Sequence, residues 1–102
     1  MQYDFVSIGD VANDTFIALK DAEVHCKIDH TGCLLSMRFG DKIPYESLVE
    51  APGVGNAGNA AIAAKRLGQN VALITDIGED EGGDACLSAW KKDSLDTSFV
   101  RR

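Results

Sequence analysis

The segment richest in chemistry is Gly53-Val54-Gly55-Asn56-Ala57-Gly58-Asn59, set directly before a run of helix-forming residues. Glycines let a backbone come close to a ligand, and a helix N-terminus offers free N–H groups at the positive end of its dipole. Asn59 carries an amide that both donates and accepts, which suits the vicinal hydroxyls of a polyol. Gly55 and Asn56, at the mouth of the same turn, complete this set of candidate ligand-binding residues. Asp14 closes the turn Gly9-Asp10-Val11-Ala12-Asn13-Asp14 and is the remaining candidate. An ionised carboxylate accepting hydrogen bonds from two hydroxyls makes a strong, directional contact. The plain alternatives are a glycine turn that merely starts a helix and an exposed turn or N-cap aspartate.

Two rival chemistries use the same kinds of residue. Gly53, Gly55 and Gly58 also spell G-x-G-x-x-G, and Asp76 follows a strand about 20 residues later, as in a dinucleotide-binding fingerprint. That fingerprint needs a buried parallel strand before it. Leu48-Val49-Glu50-Ala51-Pro52 is short, charged and ends in a proline that cannot donate to a central ladder. Separately, His25, Cys26, His30 and Cys33 offer four metal-ligating side chains. Adjacent His25 and Cys26 point to opposite faces of a strand, so the segment reads as a strand and a turn, with no metal site. Cys86 and Trp90 read as core packing.

The elements that position these residues follow from periodicity. Tyr3 to Ile8 is an apolar run ended by Gly9-Asp10, the pattern of a buried strand. Thr15 to Leu19, Val24 to Ile28 and Cys33 to Phe39 are strand-like, with Asp29-His30-Thr31-Gly32 as a hairpin turn. Asp41 to Tyr45 and Ser47 to Ala51 are shorter extended pieces, broken by Pro44 and closed by Pro52-Gly53. From Ala57 the pattern is helical through Leu67, with Lys65 and Arg66 in the last turn and Gly68 as the stop. Val71 to Thr75 is a buried strand, Glu81 to Trp90 a second helix, and Thr97 to Val100 the start of a final strand. Helices alternating with strands imply crossover units and a parallel sheet, while the helix-free patch from Thr15 to Ala51 is an antiparallel excursion.

Bulk properties narrow the function classes. A chain of 102 residues holds one modest core. A net charge of −6, with the basic residues scattered, argues against nucleic-acid binding. No apolar run approaches the roughly 20 residues of a membrane helix. Met1-Gln2-Tyr3-Asp4-Phe5 lacks the basic-then-apolar order of a secretory signal, so the expected compartment is the cytoplasm. Three cysteines without a disulfide-like spacing are expected to be reduced there.

The run Gly55, Ala57, Asn59, Ala61, Gly68 and Gly78 resembles the amino-terminal signature of the PfkB, or ribokinase-like, carbohydrate kinases. Val54 stands where that signature has the first glycine of a pair. Gly9 to Asp14 is similar to the family's first strand and turn, and Asp14 matches its sugar-binding aspartate. Gly78-Glu79-Asp80-Glu81-Gly82-Gly83 resembles the Gly-x-Asp-x-x-Gly after the second core strand. Leu87 to Val100 resembles the following helix and Asp-Thr step, with Ser94 where glycine is usual.

The resemblance implies an α/β fold, a partial doubly wound parallel sheet with a small β lid inserted. It would place the first core strand and turn in residues 1–14, the lid in 15–51 and core helices and strands in 52–102. The implied activity is transfer of the ATP γ-phosphate to a hydroxyl of a sugar or nucleoside, with Mg2+. The implied acceptor-binding residues are Asp14, Gly55, Asn56 and Asn59. The family's Gly-Ala-Gly-Asp motif, which carries its general base, does not occur among these residues, and neither does an ATP-binding segment. The chain is therefore expected to hold no catalytic residue and to be inactive alone, as the front part of a kinase. Lids of this kind also serve as homodimer interfaces, which Leu34, Leu35, Met37 and Phe39 would suit. The alternatives are a stand-alone sugar-binding or dimerising module and a dinucleotide-binding fragment of an oxidoreductase.

Overall fold

The computed structural model describes residues 2–102. In chain order they form β1 (Phe5–Ile8), β2 (Ala12–Leu19), β3 (Glu23–His25), β4 (Leu34–Ser36), β5 (Tyr45–Val54), α1 (Gly55–Arg66), β6 (Val71–Asp76), α2 (Glu81–Lys92) and β7 (Val100–Arg101). They fall into two compact units, one made of the residues up to Asp14 with Glu50–Arg102, the other of Thr15–Val49.

The first unit carries a parallel sheet of order β1-β6-β7. β1 pairs with β6 from Phe5↔Val71 to Ile8↔Ile74, and β6 with β7 at Thr75↔Val100 and Asp76↔Arg101. Each crossover passes through one helix, as parallel neighbours require. Strand side chains alternate between the two faces of the sheet. Ser7, Val71, Leu73 and Thr75 are buried, with Ala57 and Ala61 of α1, Cys86 and Trp90 of α2, and Leu95. The next residues along, Val6, Ile8 and Ile74, stay exposed. The expected α/β architecture is thus present as a three-stranded parallel sheet with two helices.

Helix boundaries follow local chemistry. α1 stops at Leu67, and Gly68 (φ 90°) takes the left-handed conformation that lets its N–H reach the Lys65 carbonyl. The Asp80 carboxylate caps α2 by accepting from the Gly83 N–H at 2.9 Å, and Lys91 and Lys92 occupy its negative end. Ser94 has φ 53°, the left-handed region that favours glycine.

Two extended pieces were expected between Asp41 and Ala51. The structure instead runs one strand, β5, from Tyr45 through Pro52 to Val54 and pairs it with β2 in a two-stranded sheet. Proline is tolerated in a strand where its missing N–H faces no ladder partner.

In Thr15–Val49, β3 and β4 pair antiparallel at Glu23↔Ser36, Val24↔Leu35 and His25↔Leu34, shorter than the strands expected. Their connection contains the anticipated turn. The Asp29 carboxylate accepts from the Thr31 N–H (3.1 Å) and hydroxyl (2.7 Å), contacts that hold its pKa below the usual carboxylate range. The expectation of three reduced cysteines is corrected here, since Cys26 and Cys33 are joined by a disulfide. The register explains it. One step beyond His25↔Leu34 lies Cys26 opposite Cys33, a pairing that spacing along the chain does not reveal. Cys86 is free and buried, as a core residue should be.

Candidate functional site

The site is assembled where the turn after β1 meets the glycine turn before α1, both within the parallel-sheet unit. Gly55 (φ 85°) packs so closely that a Cβ there would lie 3.0 Å from both the Ala12 nitrogen and the Val11 Cα. Only glycine allows two backbones to touch in this way. Two residues further along the helix, the Ala57 N–H donates to the Asp10 carbonyl at 3.2 Å, while its carbonyl accepts from the buried Ser7 hydroxyl at 2.8 Å. Gly53 is fixed from the other side. Its carbonyl accepts from the Trp90 indole N–H at 3.0 Å, and at φ 70° an added Cβ would lie 2.5 Å from that nitrogen.

Asn13 ties these turns to α2. Its side-chain carbonyl accepts from the Gly53 N–H (2.9 Å) and the Cys86 thiol (3.0 Å), and its amide donates to the Gly82 carbonyl (3.0 Å). One side chain thereby joins three chain segments. Sequence reasoning passed over Asn13 in favour of its neighbour Asp14. The one available signal was an amide able to donate and accept inside a turn already singled out.

Gly55 and Asn56 open α1, where Gly55 meets Val11 and Ala12, while Asp14 lies two residues further along β2. Asp14 is exposed on β2, Asn56 is exposed in the first turn of α1, and neither side chain hydrogen-bonds another group among the described residues. Asn59 lies one turn further along. It lines a groove of about 430 Å³ between α1 and α2, together with Gly53, Ile62, Arg66, Trp90 and Asp93. Arg66 spans part of that groove as a fork on Asp93 (2.8 and 3.0 Å), which draws the Asp93 pKa down. Asn59 therefore opens into a different hollow from the Val11–Asn13 turn.

A second hollow of about 690 Å³ lies at the carboxyl ends of the parallel strands, lined by Gly9, Asp10, Val11, Thr75, Asp76 and Arg101. Open α/β sheets bind ligands at that end. Arg101 grips Asp76 with two hydrogen bonds (2.9 and 2.7 Å), which raise the Arg101 pKa and occupy the carboxylate. The dinucleotide fingerprint lacks its context. The strand before Gly53 belongs to the β2–β5 pair and not to the parallel sheet.

Among the described residues no group of three or more His, Cys, Asp or Glu could hold a metal ion. None of the glycine turns carries the lysine of a phosphate-binding loop. Among the same residues no helix is long and apolar enough to cross a membrane.

The family model described as "pfkB family carbohydrate kinase" matches residues 22–102, more than half of the chain. The match includes both glycine turns, Gly53–Asn59 and Gly78–Gly83, and begins after Asp14. No curated protein sequence matches closely enough to serve as a relative. The chain belongs to the pfkB family of carbohydrate kinases.

Proposed function

We propose that these residues form the acceptor-binding part of a carbohydrate or nucleoside kinase, holding the substrate hydroxyls while ATP and Mg2+ act from residues not among them. Asp14 accepts hydrogen bonds from two hydroxyls, Gly55 lets the backbone approach the ring, and Asn56 and Asn59 donate and accept at its edge. The observation that carries this reading is the contact of Gly55 with Val11 and Ala12, two residues before Asp14 in the chain. The reading assigns acceptor binding to these residues and the role of general base to none of them. Deprotonating the attacking hydroxyl needs a base within hydrogen-bond reach.

Residues 15–51 are, in this reading, the family's β lid segment. The exposed apolar side chains Leu34, Leu35, Met37 and Phe39 suit a homodimer contact through it. The protein works in the cytoplasm, where its phosphate donor is found.

Titrating the isotopically labelled chain with pentoses, hexoses and nucleosides by NMR tests the assignment. The amides of Asp14, Gly55 and Asn56 should shift with one of these classes. Asp14→Ala should weaken that binding about tenfold or more, the expected loss for a hydrogen bond to a charged group. Unchanged affinity in both Asp14→Ala and Asn59→Ala would remove the acceptor assignment. Shifts with NAD alone would favour the dinucleotide alternative.

A further inference from the structure

We infer that Cys26 and Cys33 form a reversible thiol–disulfide site whose redox state orders or releases the β3–β4 hairpin. Three observations carry this. The two cysteines occupy the cross-strand positions directly beyond His25↔Leu34, so the bond closes the ladder at its turn end. Both are exposed, which gives a soluble dithiol access to the sulfurs. No residue from Thr15 to Val49 is buried. The hairpin therefore has three ladder pairs and no core to hold it once the cross-link opens. A two-stranded hairpin without such support is marginal in water.

The turn is also suited to exchange. Lys27 follows Cys26, and its chain lies along Gly32, where an added Cβ would meet the Lys27 Cε at 3.4 Å. This keeps a cation in the short turn that both cysteines flank, and a nearby ammonium favours the thiolate that must attack when the bond reforms. In reduction, a thiolate of an external dithiol attacks one cysteine sulfur and displaces the other as a thiolate, which takes up a proton. The dithiol's second sulfur then displaces the protein from the mixed disulfide. Two electrons and two protons pass to Cys26 and Cys33, and the dithiol leaves as its cyclic disulfide. A small-molecule disulfide such as oxidised glutathione reverses the change. Disulfides in the cytoplasm of most organisms are transient or redox-sensing, and this part of the argument rests on the proposed kinase function.

The test is to equilibrate the chain in graded ratios of reduced to oxidised dithiothreitol, alkylate it, and measure amide hydrogen exchange over Glu23–Ser36. Cys26 and Cys33 should convert together, with exchange at Val24 and Leu35 rising tenfold or more on reduction while Leu73 is unchanged. The double variant Cys26→Ser/Cys33→Ser should match the reduced protein in every buffer. The inference fails if both cysteines alkylate fully at the most oxidising ratio, or if excess dithiol leaves the bond intact. Equal exchange in the two states overturns it as well. None of these readouts needs a sugar, so a failure of the acceptor assignment would be recognised separately by the NMR titration.

Discussion

Residues 50–102, with the first strand, fold around eight buried apolar side chains between Ala57 and Leu95, whereas residues 15–49 bury none. The former hold their shape by removing apolar surface from water, at about 25 cal/mol per Å². The latter rely on the β2–β5 strand pair, a short antiparallel ladder, a carboxylate-braced turn and one covalent cross-link. The contrast teaches where change is tolerated. Glycines and an asparagine in the first unit are fixed by close packing around the candidate site. Apolar residues in the second, among them Leu34, Leu35 and Phe39, are exposed instead.

Substitutions at four positions sharpen or break that contrast. Trp90→Ala should have the largest effect, about 3–5 kcal/mol for an aromatic truncated in a core, and it also leaves the Gly53 carbonyl without its donor. Circular dichroism should show the parallel-sheet unit largely unfolded at 37 °C, roughly body temperature, given the usual stability of about 5–15 kcal/mol. A melting curve like the parent's would mean that the core is not the source of stability.

Asn13→Ala should cost about 1–2 kcal/mol in chemical denaturation, because it leaves the part-buried Gly53 N–H without its acceptor and removes the tie to the Gly82 carbonyl. Asn13→Asp keeps the acceptor for Gly53 but turns an oxygen toward the Gly82 carbonyl, so it should not restore the loss. Full rescue by aspartate would show that the contact to α2 contributes nothing.

Asp96 supplies a smaller, pH-dependent term. Hydrogen bonds from Ser98 and then Tyr3 hold its pKa at about 2. A carboxylate depressed in the folded state adds stability above its unfolded value of about 3.9, and that stability is lost as pH falls from there through about 2. Because Asp96 is only half-buried, solvent screening keeps the contribution below roughly 1 kcal/mol. Acid titration of Asp96→Asn should show a shallower loss of stability between those values, and an unchanged slope would assign the acid sensitivity elsewhere. Leu35→Ser should move the thermal midpoint of the parallel-sheet unit least, by an equivalent of about 0.5 kcal/mol or less. A large shift would show that the hairpin shares a core after all.

Much of the architecture was legible in the residues because its causes are local. Gly68 ends α1 by adopting a left-handed conformation next to Lys65 and Arg66. Asp80 caps α2 through a bond to a residue three positions away, and the apolar run Val71–Leu73 could only be buried. The glycine signature, too, was readable, since Gly55 is needed where two backbones meet. Ser94, noted where glycine is usual, does hold a glycine-like conformation.

What the chain order did not disclose depends on segments that meet only after folding. Asn13 and Gly53 are 40 positions apart, and Asn13 and Cys86 are 73 apart. Nothing in either neighbourhood points to the other. The Cys26–Cys33 bond depends on which residues face each other across a hairpin, and a register shift of one would have separated them. Asn59 shared a motif with Gly55 but faces the α1–α2 groove, because helical rotation turns successive residues to different sides. The sequence by itself determined the elements and the chemistry available to them, since propensity and capping act over a few residues. The tertiary structure alone decided which of those groups share a site, since closing a long loop is decided by the contacts it makes possible.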